Sequence, residues 1–394
     1  MSRLEELIQQ LCPDGVEYKA LGEIAVDIFR GNGIKREQVT DNGTPCVRYG
    51  EIYTTYGIWF DKCVSHTDDK KIPNKKYFEY GDILFAITGE SVEEIAKSTA
   101  YVGHERCLAG GDIVVLKHTQ DPKYLSYALS TTFAQAQKSK GKVKSKVVHS
   151  SVPAIRDIRI PLPPLPVQRE IVRILDTFTE LTAELTAELT AELTARKKQY
   201  AYYRDELFRT AKDASVHYLN EISDNCDNQR RPVTSGNRIA GKYPYYGASG
   251  IVDYVDDYIF DGDYLLISED GANLLARSTP IAFSIAGKNW VNNHAHVLHF
   301  DTYDTRRYVE IYLNSIDLSS YITGGAQPKL NQKNLNKIPI PLPSPDEQHR
   351  IVSILDRFDA LCNDLTSGLP AEIAARKKQY EYYRDKLLSF KVKT

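Results

Sequence analysis

No stretch of this chain approaches the roughly 20 consecutive apolar residues that a membrane helix needs. Met1 to Gln10 carries too many charges for a signal peptide, so a cytoplasmic protein without a membrane partner is expected. Paired cysteines are missing too. Cys12, Cys46, Cys63, Cys107, Cys226 and Cys362 are scattered with no Cys-x-x-Cys spacing, which argues against a zinc site or disulfide framework and for buried, reduced thiols. An excess of positive charge is also lacking. With a net charge of −2, a nucleic-acid interface would have to gather its basic residues on one face. Catalytic signatures are absent as well: Gly31-Asn32-Gly33 lacks the Gly-Lys-Ser/Thr of a phosphate-binding loop, and neither Gly-x-Ser-x-Gly nor Gly-x-Gly-x-x-Gly occurs. An enzyme acting alone is not expected. The cluster His294, His296 and His299 is the most metal-like, but on a strand His299 faces away from the other two. Hydrogen-bonded imidazoles and no metal are therefore expected.

What the chain does have is ordinary globular composition, 42% hydrophobic and 26% charged over 394 residues, enough for two or three domains. It also has a duplication. Ile158 to Asp176 (IRIPLPPLPVQREIVRILD) returns at Ile338 to Asp356 (IPIPLPSPDEQHRIVSILD), and Arg196 to Leu207 (RKKQYAYYRDEL) at Arg376 to Leu387 (RKKQYEYYRDKL). Between these anchors Thr-Ala-Glu-Leu occurs three times in succession, Thr182 to Leu193. Ala, Glu and Leu favour helix, and Leu181, Leu185, Leu189 and Leu193 predict one apolar side, answered in the second copy by Leu361, Leu365, Leu369 and Ile373. A helix over Val167 to Lys212 would run about 65 to 70 Å. Such a helix needs a partner in water, and packing the two copies antiparallel supplies one. Gly368 and Pro370 replace Glu188 and Thr190 of the first copy, so the second helix is expected to kink or split there.

Two mixed segments fill the intervals. Asp82 to Ile87 and Asp112 to Leu116 read as buried strands and Tyr124 to Thr131 as a helix; in the second segment Gly262 to Ile267 answers Gly81 to Ala86, His296 to Leu298 answers Val114 to Leu116, and Tyr308 to Ser315 answers Tyr124 to Thr131. The loops between these landmarks differ almost completely. The fold expected is α+β: two mixed α/β domains related by a pseudo-two-fold axis and separated by two long antiparallel coiled-coil helices. The expected boundaries are residues 1–157, 158–213, 214–337 and 338–394. The N-terminal helix around Leu4 to Leu11 and the tail Leu387 to Thr394 should meet, closing the chain nearly into a ring.

Cations recur on the loops. Lys138, Lys140, Lys142, Lys144 and Lys146 alternate, with Arg156 and Arg159 nearby, a spacing suited to successive phosphates if they lie on one side of a strand. The same pattern also suits a solvated edge strand guarded by lysine. Arg30, Lys35 and Arg36 surround a glycine turn, and Arg48 lies among tyrosines. In the second segment Arg230, Arg231 and Arg277 play that part, and Gln327, Lys329, Asn331 and Lys333 offer groups that can read base edges.

With the duplicated IPLP lead-in, the RKKQYxYYRD box on both helices and the TAEL run, the chain resembles the specificity (S) subunits of type I restriction-modification systems. It looks closest to the subfamily, type IC, whose central helix carries TAEL repeats. The resemblance implies two target recognition domains, each reading half of a split site in double-stranded DNA. It implies spacer helices that dock two modification (M) subunits and, through them, restriction (R) subunits. No cofactor belongs to the chain itself; S-adenosylmethionine, used for adenine N6 methylation, would sit in M, and ATP and Mg in R. The matched boxes assign the faces carrying Tyr200, Tyr203, Tyr380 and Tyr383 to packing and docking. The competing expectation is a coiled-coil scaffold that spaces two protein-binding domains without reading DNA.

Four helical residues advance about 6 Å with a net turn of about 40°, against about 3.4 Å and 34 to 36° for one base pair. Deleting Thr190 to Leu193 should therefore shorten the tolerated gap between half-sites by one base pair, DNA bending taking up the residual rise. A methylation map of the deleted chain with its partner would show the shorter gap; an unchanged gap would refute the ruler.

Overall fold

The computed structural model describes residues 2–139, 142–144, 147–325, 327–364 and 366–393, without the side chains at 142, 143, 144 and 147. The chain divides into two units, Met1–Glu188 with Ile373–Thr394, and Leu189–Glu372. No helix among the described residues is long and apolar enough to cross a membrane.

In the first unit the uninterrupted apolar runs become central strands, as expected. Ile83–Ala86 lies between Ile113–His118 and Ser98–Tyr101, with Ala25–Arg30 and Trp59–Phe60 at the edges of a five-stranded sheet. Ile83, Leu84, Phe85, Val114 and Val115 are fully buried, because both faces are covered. A second five-stranded sheet orders Val39–Thr40, Ser65–Thr67, Thr44–Val47, Cys107–Ala109 and Tyr77–Phe78. The second unit repeats the first frame with four strands, Asp224–Asn225, Ala295–His299, Tyr264–Ser268 and Ala282–Ile285, all antiparallel. One detail of the expected correspondence is corrected. Aligning Gly81-Asp82 with Gly262-Asp263 equates Ile83 with Tyr264, yet Ile83 pairs with Leu116 and Leu265 with Leu298. Tyr264 is an extra residue before the strand, and since a slip of one exchanges faces, Leu265, not Tyr264, takes the place of Ile83 in the helix-side core.

The proline-rich lead-ins behave as edge segments. Among the described residues, Arg159–Pro161 pairs only with Tyr18–Ala20, and Ile340–Leu342 only with Ser215–His217. Their carbonyls are satisfied by side chains at equivalent positions of the two copies. Tyr124 OH donates to Pro161 O (2.9 Å) and Gln168 Nε2 to Pro163 O (2.7 Å); Tyr308 OH donates to Pro341 O and Gln348 Nε2 to Pro343 O, both at 2.7 Å. Just beyond, Lys123 pairs with Asp176 (2.7 Å) and Arg307 with Asp356 (2.7 Å). Each globular part thus grips the foot of its own helix.

The first long helix is Leu165–Thr210, continuous through the tetrads. Its residues up to Glu188 belong to the first unit and the rest to the second. The second copy splits, as its Gly and Pro required: Pro345–Asn363 ends, Leu369–Leu387 begins, and a Cβ on buried Gly368 would lie 2.6 Å from Ala360 O. Within the first unit the helices pack antiparallel, Thr179 Oγ1 meeting Tyr380 OH at 2.9 Å and Phe178 packing near Tyr383. Within the second, Tyr203 packs on Phe358.

The expected leucine seam is corrected. Leu181 is 57% exposed and Leu361 38% exposed, while Leu185, Leu189 and Leu193 are only half-buried; Leu365 lies outside the described residues. A row repeating every four residues drifts about 40° per step around an α-helix, so it cannot stay against one partner.

The tail does reach the N-terminal helix. Val16 N donates to Lys391 O (2.8 Å), Lys393 N to Val16 O (3.1 Å), and buried Leu388 joins Leu4, Cys12 and Val16 in one core. Gly15 sits at φ 105°, where a Cβ would lie 2.5 Å from Lys391 O, so glycine is required for this closure. Leu388→Ala should destabilise the first unit by about 2–5 kcal/mol. In hydrogen exchange this appears as faster opening around Leu4 to Ala20, with residues 215–342 unaffected.

Candidate nucleic-acid interface

Three backbone segments of the first unit cross at glycines. Gly31 N donates to Ile113 O (2.8 Å), Asn32 N to Ala109 O (3.0 Å) and Gly110 N to Val47 O (2.9 Å). A Cβ on Gly31 would come 2.2 Å from Gly110 O, and one on Gly111 2.9 Å from Gly33 N, so no side chain fits at these crossings. Over this floor opens a cleft of about 460 Å³ that brings together Arg36 and Arg48, predicted on separate loops, with Tyr49, Glu51 and Asp112.

The cations around the cleft are not equivalent. Arg30 braces the floor, Nε donating to Gly111 O and Nη2 to Asp112 Oδ1, each at 2.5 Å. Two of its guanidinium nitrogens are thus engaged by the protein, while the side chain stays 58% exposed. Lys35 is exposed, 4.0 Å from Glu37. Arg36 is exposed with no ion pair among the described residues. Arg48 is held by Glu51: Arg48 Nε donates to Glu51 Oε1 and the Arg48 backbone N to Glu51 Oε2, both at 3.1 Å. Glu51 is itself buried and accepts from Ser65 Oγ at 2.7 Å. Glu51, Gly110 and Gly111 were missed in the sequence; the signals were the Arg48-x-x-Glu51 spacing and a Gly-Gly pair between two strands.

The lysine ladder starts later than its spacing implied. Lys138 is buried, 5% exposed, its Nζ donating to Leu129 O (2.8 Å) and Ser98 Oγ (3.1 Å). It ends the helix Thr132–Lys138, so helical geometry and not alternation sets its direction. Desolvation pulls its pKa down to about 7. Lys142–Lys144 does form a strand, paired with Val147–His149, which in turn pairs with Thr88–Gly89. The Lys142 and Lys144 side chains, and Lys140 and Lys146 altogether, lie outside the described residues. Arg159 is exposed, its Nη2 donating to Tyr18 O at 2.5 Å.

In the second unit two expected readers are corrected. Arg230 is 13% exposed, paired with Glu269 (2.7 Å) and Asp227 (3.3 Å). Arg277 donates to Ile316 O (2.9 Å) and Leu313 O (3.4 Å), serving the unpaired carbonyls at the end of helix Tyr303–Ser315. Arg231 remains exposed, its backbone fixed by Trp290 Nε1 donating to Arg231 O (2.6 Å). Gln327 and Lys333 are exposed, Lys329 pairs with Glu269 (3.1 Å), and Asn331 caps the turn at Gln332–Leu335. The histidines turn to separate carboxylates: His294 to Asp270, His296 to Asp227 and, through Nε2, to Leu330 O, and His299 towards Asp224. His296 thereby ties the segment bearing Gln327 and Lys329 to the sheet.

On the helices, Tyr200 and Tyr380 are half-buried packing residues, whereas Tyr203 and Tyr383 are 41% and 43% exposed. Leu181, Leu185, Phe178 and Tyr383 border an open groove of about 290 Å³ in the first unit.

Burial of Lys138 has a measurable consequence. Its pKa is about 7 folded against 10.5 for the free side chain, so the unfolded chain holds more protons between these values. The lysine's stability contribution is therefore complete above about pH 10.5 and is lost as pH falls towards 7. Relative to Lys138→Met, the wild-type unit should gain about 2 kcal/mol from pH 7 to pH 9, read by denaturant unfolding.

A family profile described as the type I restriction modification DNA specificity domain matches residues 13–195 and again 212–375. A Haemophilus influenzae protein provisionally named a type I restriction enzyme specificity subunit is 41% identical over 175 residues, 43% of this chain and 45% of that one. The EcoR124I/EcoR124II specificity subunit of Escherichia coli is 36% identical over 264 residues, 60% of this chain and 63% of that one. The match thus spans about half or somewhat more of these curated relatives. A chain from a solved type I R-M system superposes with a TM-score of 0.67 at 18% identity, covering 96% of this chain and 98% of that one, and so shares its fold. With two profile matches laid over most of its length, the chain belongs to the type I restriction-modification DNA specificity family, whose members supply specificity and not catalysis.

Proposed function

We propose that the chain reads an asymmetric, two-part DNA target, one unit per half-site, and docks two modification subunits that methylate adenine N6 there. Restriction subunits join through them. S-adenosylmethionine belongs to the modification partner, ATP and Mg to the restriction partner. The observation carrying this reading is one frame with two different surfaces. The main bonds gripping the helix foot recur at equivalent positions, whereas the first unit offers Arg36, Arg48 and the Lys142–Lys144 strand and the second Arg231, Gln327, Lys329 and Lys333. Unlike reading surfaces imply unlike half-sites. Exposed Tyr203, Tyr383 and Leu181 give the helices aromatic and apolar surface for the docked subunits. Three tandem TAEL tetrads inside an unbroken helix favour the type IC subfamily. The setting is cytoplasmic, where such partners and DNA meet.

Lys142→Ala with Lys144→Ala should weaken duplex binding for all sequences and lower the salt slope by about 2. Sequencing modified adenines in DNA exposed to the chain plus its modification partner should return a split, asymmetric target. A coiled-coil scaffold that spaces two protein-binding domains would show no salt-sensitive duplex binding, with or without partners.

A further inference from the structure

Resting on that reading, we propose that Arg48 recognises a guanine edge in the half-site read by the first unit, with Glu51 as its positioning residue and Arg36 as a phosphate contact. Arginine reads guanine by directing two N–H groups at O6 and N7, which demands a fixed guanidinium. Arg48 is the cleft arginine that is fixed. Its Nε is taken by Glu51 Oε1 (3.1 Å), and Glu51 is locked by Ser65 Oγ (2.7 Å) and the Arg48 backbone N. The terminal nitrogens of Arg48 have no hydrogen bond among the described residues, and its side chain is 34% exposed at the cleft wall.

Local charge favours a base over a phosphate at this point. Glu51 balances Arg48, and Asp112, in the same cleft, is paired with Arg30. The guanine edge, with only partial negative charge on O6 and N7, is disfavoured less by those carboxylates than a phosphate with its full charge. Arg36 has no such brace. A mobile cation pays side-chain entropy for a directional two-point contact but little for a phosphate that it can meet from many angles. The glycine crossings beneath leave the cleft floor without side chains, so a base edge can come close to the backbone.

The test uses the full chain assembled with its modification partner and a randomised duplex library, with bound sequences read and binding titrated against salt. Arg48→Lys keeps the charge and should lose roughly 5- to 150-fold discrimination at one G·C pair of one half-site. The salt slope and the other half-site should be unchanged. Arg36→Ala should weaken every sequence and lower the slope by about 1 without altering preference. Glu51→Gln keeps one oxygen for Ser65 and Arg48 Nε but sets an amide N–H2 against the Arg48 backbone N–H, so it should blunt the same G·C preference and lower melting while leaving preference in the other half-site unchanged. If Arg48→Lys selects the wild-type sequence, or loses preference equally everywhere, the assignment is overturned. If the wild-type assembly selects no defined split sequence, the broader reading fails instead.

Discussion

Proline has no N–H to give to a sheet, and the structure turns on how that deficit is met. Among the described residues, the lead-ins at Pro161-Leu162-Pro163 and Pro341-Leu342-Pro343 pair on one side only. Leaving their carbonyls buried and unpaired would cost about 1–3 kcal/mol apiece. Tyr124 and Gln168 close them in one unit, Tyr308 and Gln348 in the other. Because the tyrosines come from the globular part and the glutamines from the long helices, the same bonds that satisfy the backbone also fix each helix to its sheet. Everything presented on the loops is referred to that junction.

Once the frame is secured, charge decides which loops can meet a polyanion. With a net charge near zero, cations consumed by internal carboxylates or carbonyls have little left to offer outside. Arg230 and Arg277 are consumed in this way and Arg30 in part, and Lys138 is buried against a carbonyl and a hydroxyl. Arg36, Arg231 and Lys333 stay in solvent, and Arg48 keeps its terminal nitrogens open while its Nε is held. Basic sequence loops are therefore poor guides by themselves, and the intramolecular partner of each cation is the informative fact.

The repeat, the helix break at Gly368, the buried strands and the meeting of the tail with Val16 were legible because each rests on local grammar: a duplicated string, a helix stop, an apolar run, or a topology with one way to close. The fate of individual cations was not. Lys138 fits an alternating ladder on paper, but it belongs to a helix that carries it inward beneath Ser98. Arg48 and Arg30 looked alike until Glu51, Asp112 and Gly111 were placed beside them. Aligning the strands by Gly-Asp failed by one residue because a loop motif does not fix register, whereas cross-strand pairing does.

The tetrads are where sequence pattern and packing part company, and the difference has physical consequences. A residue repeated every four positions winds slowly around the helix, so Leu181 faces solvent while Leu185, Leu189 and Leu193 are only half-covered. This part of the helix owes less to a registered core than the segment around Ile171 and Leu175, which is fully buried, and more to the propensity of Ala, Glu and Leu. Inserting or removing a residue near Leu175 would turn buried side chains outward. A whole tetrad changed within Thr182 to Leu193 restores the same residues after a rotation of about 40°, with no tightly packed layer to break. The segment best suited to changing length is thus the one whose stability is most nearly its own.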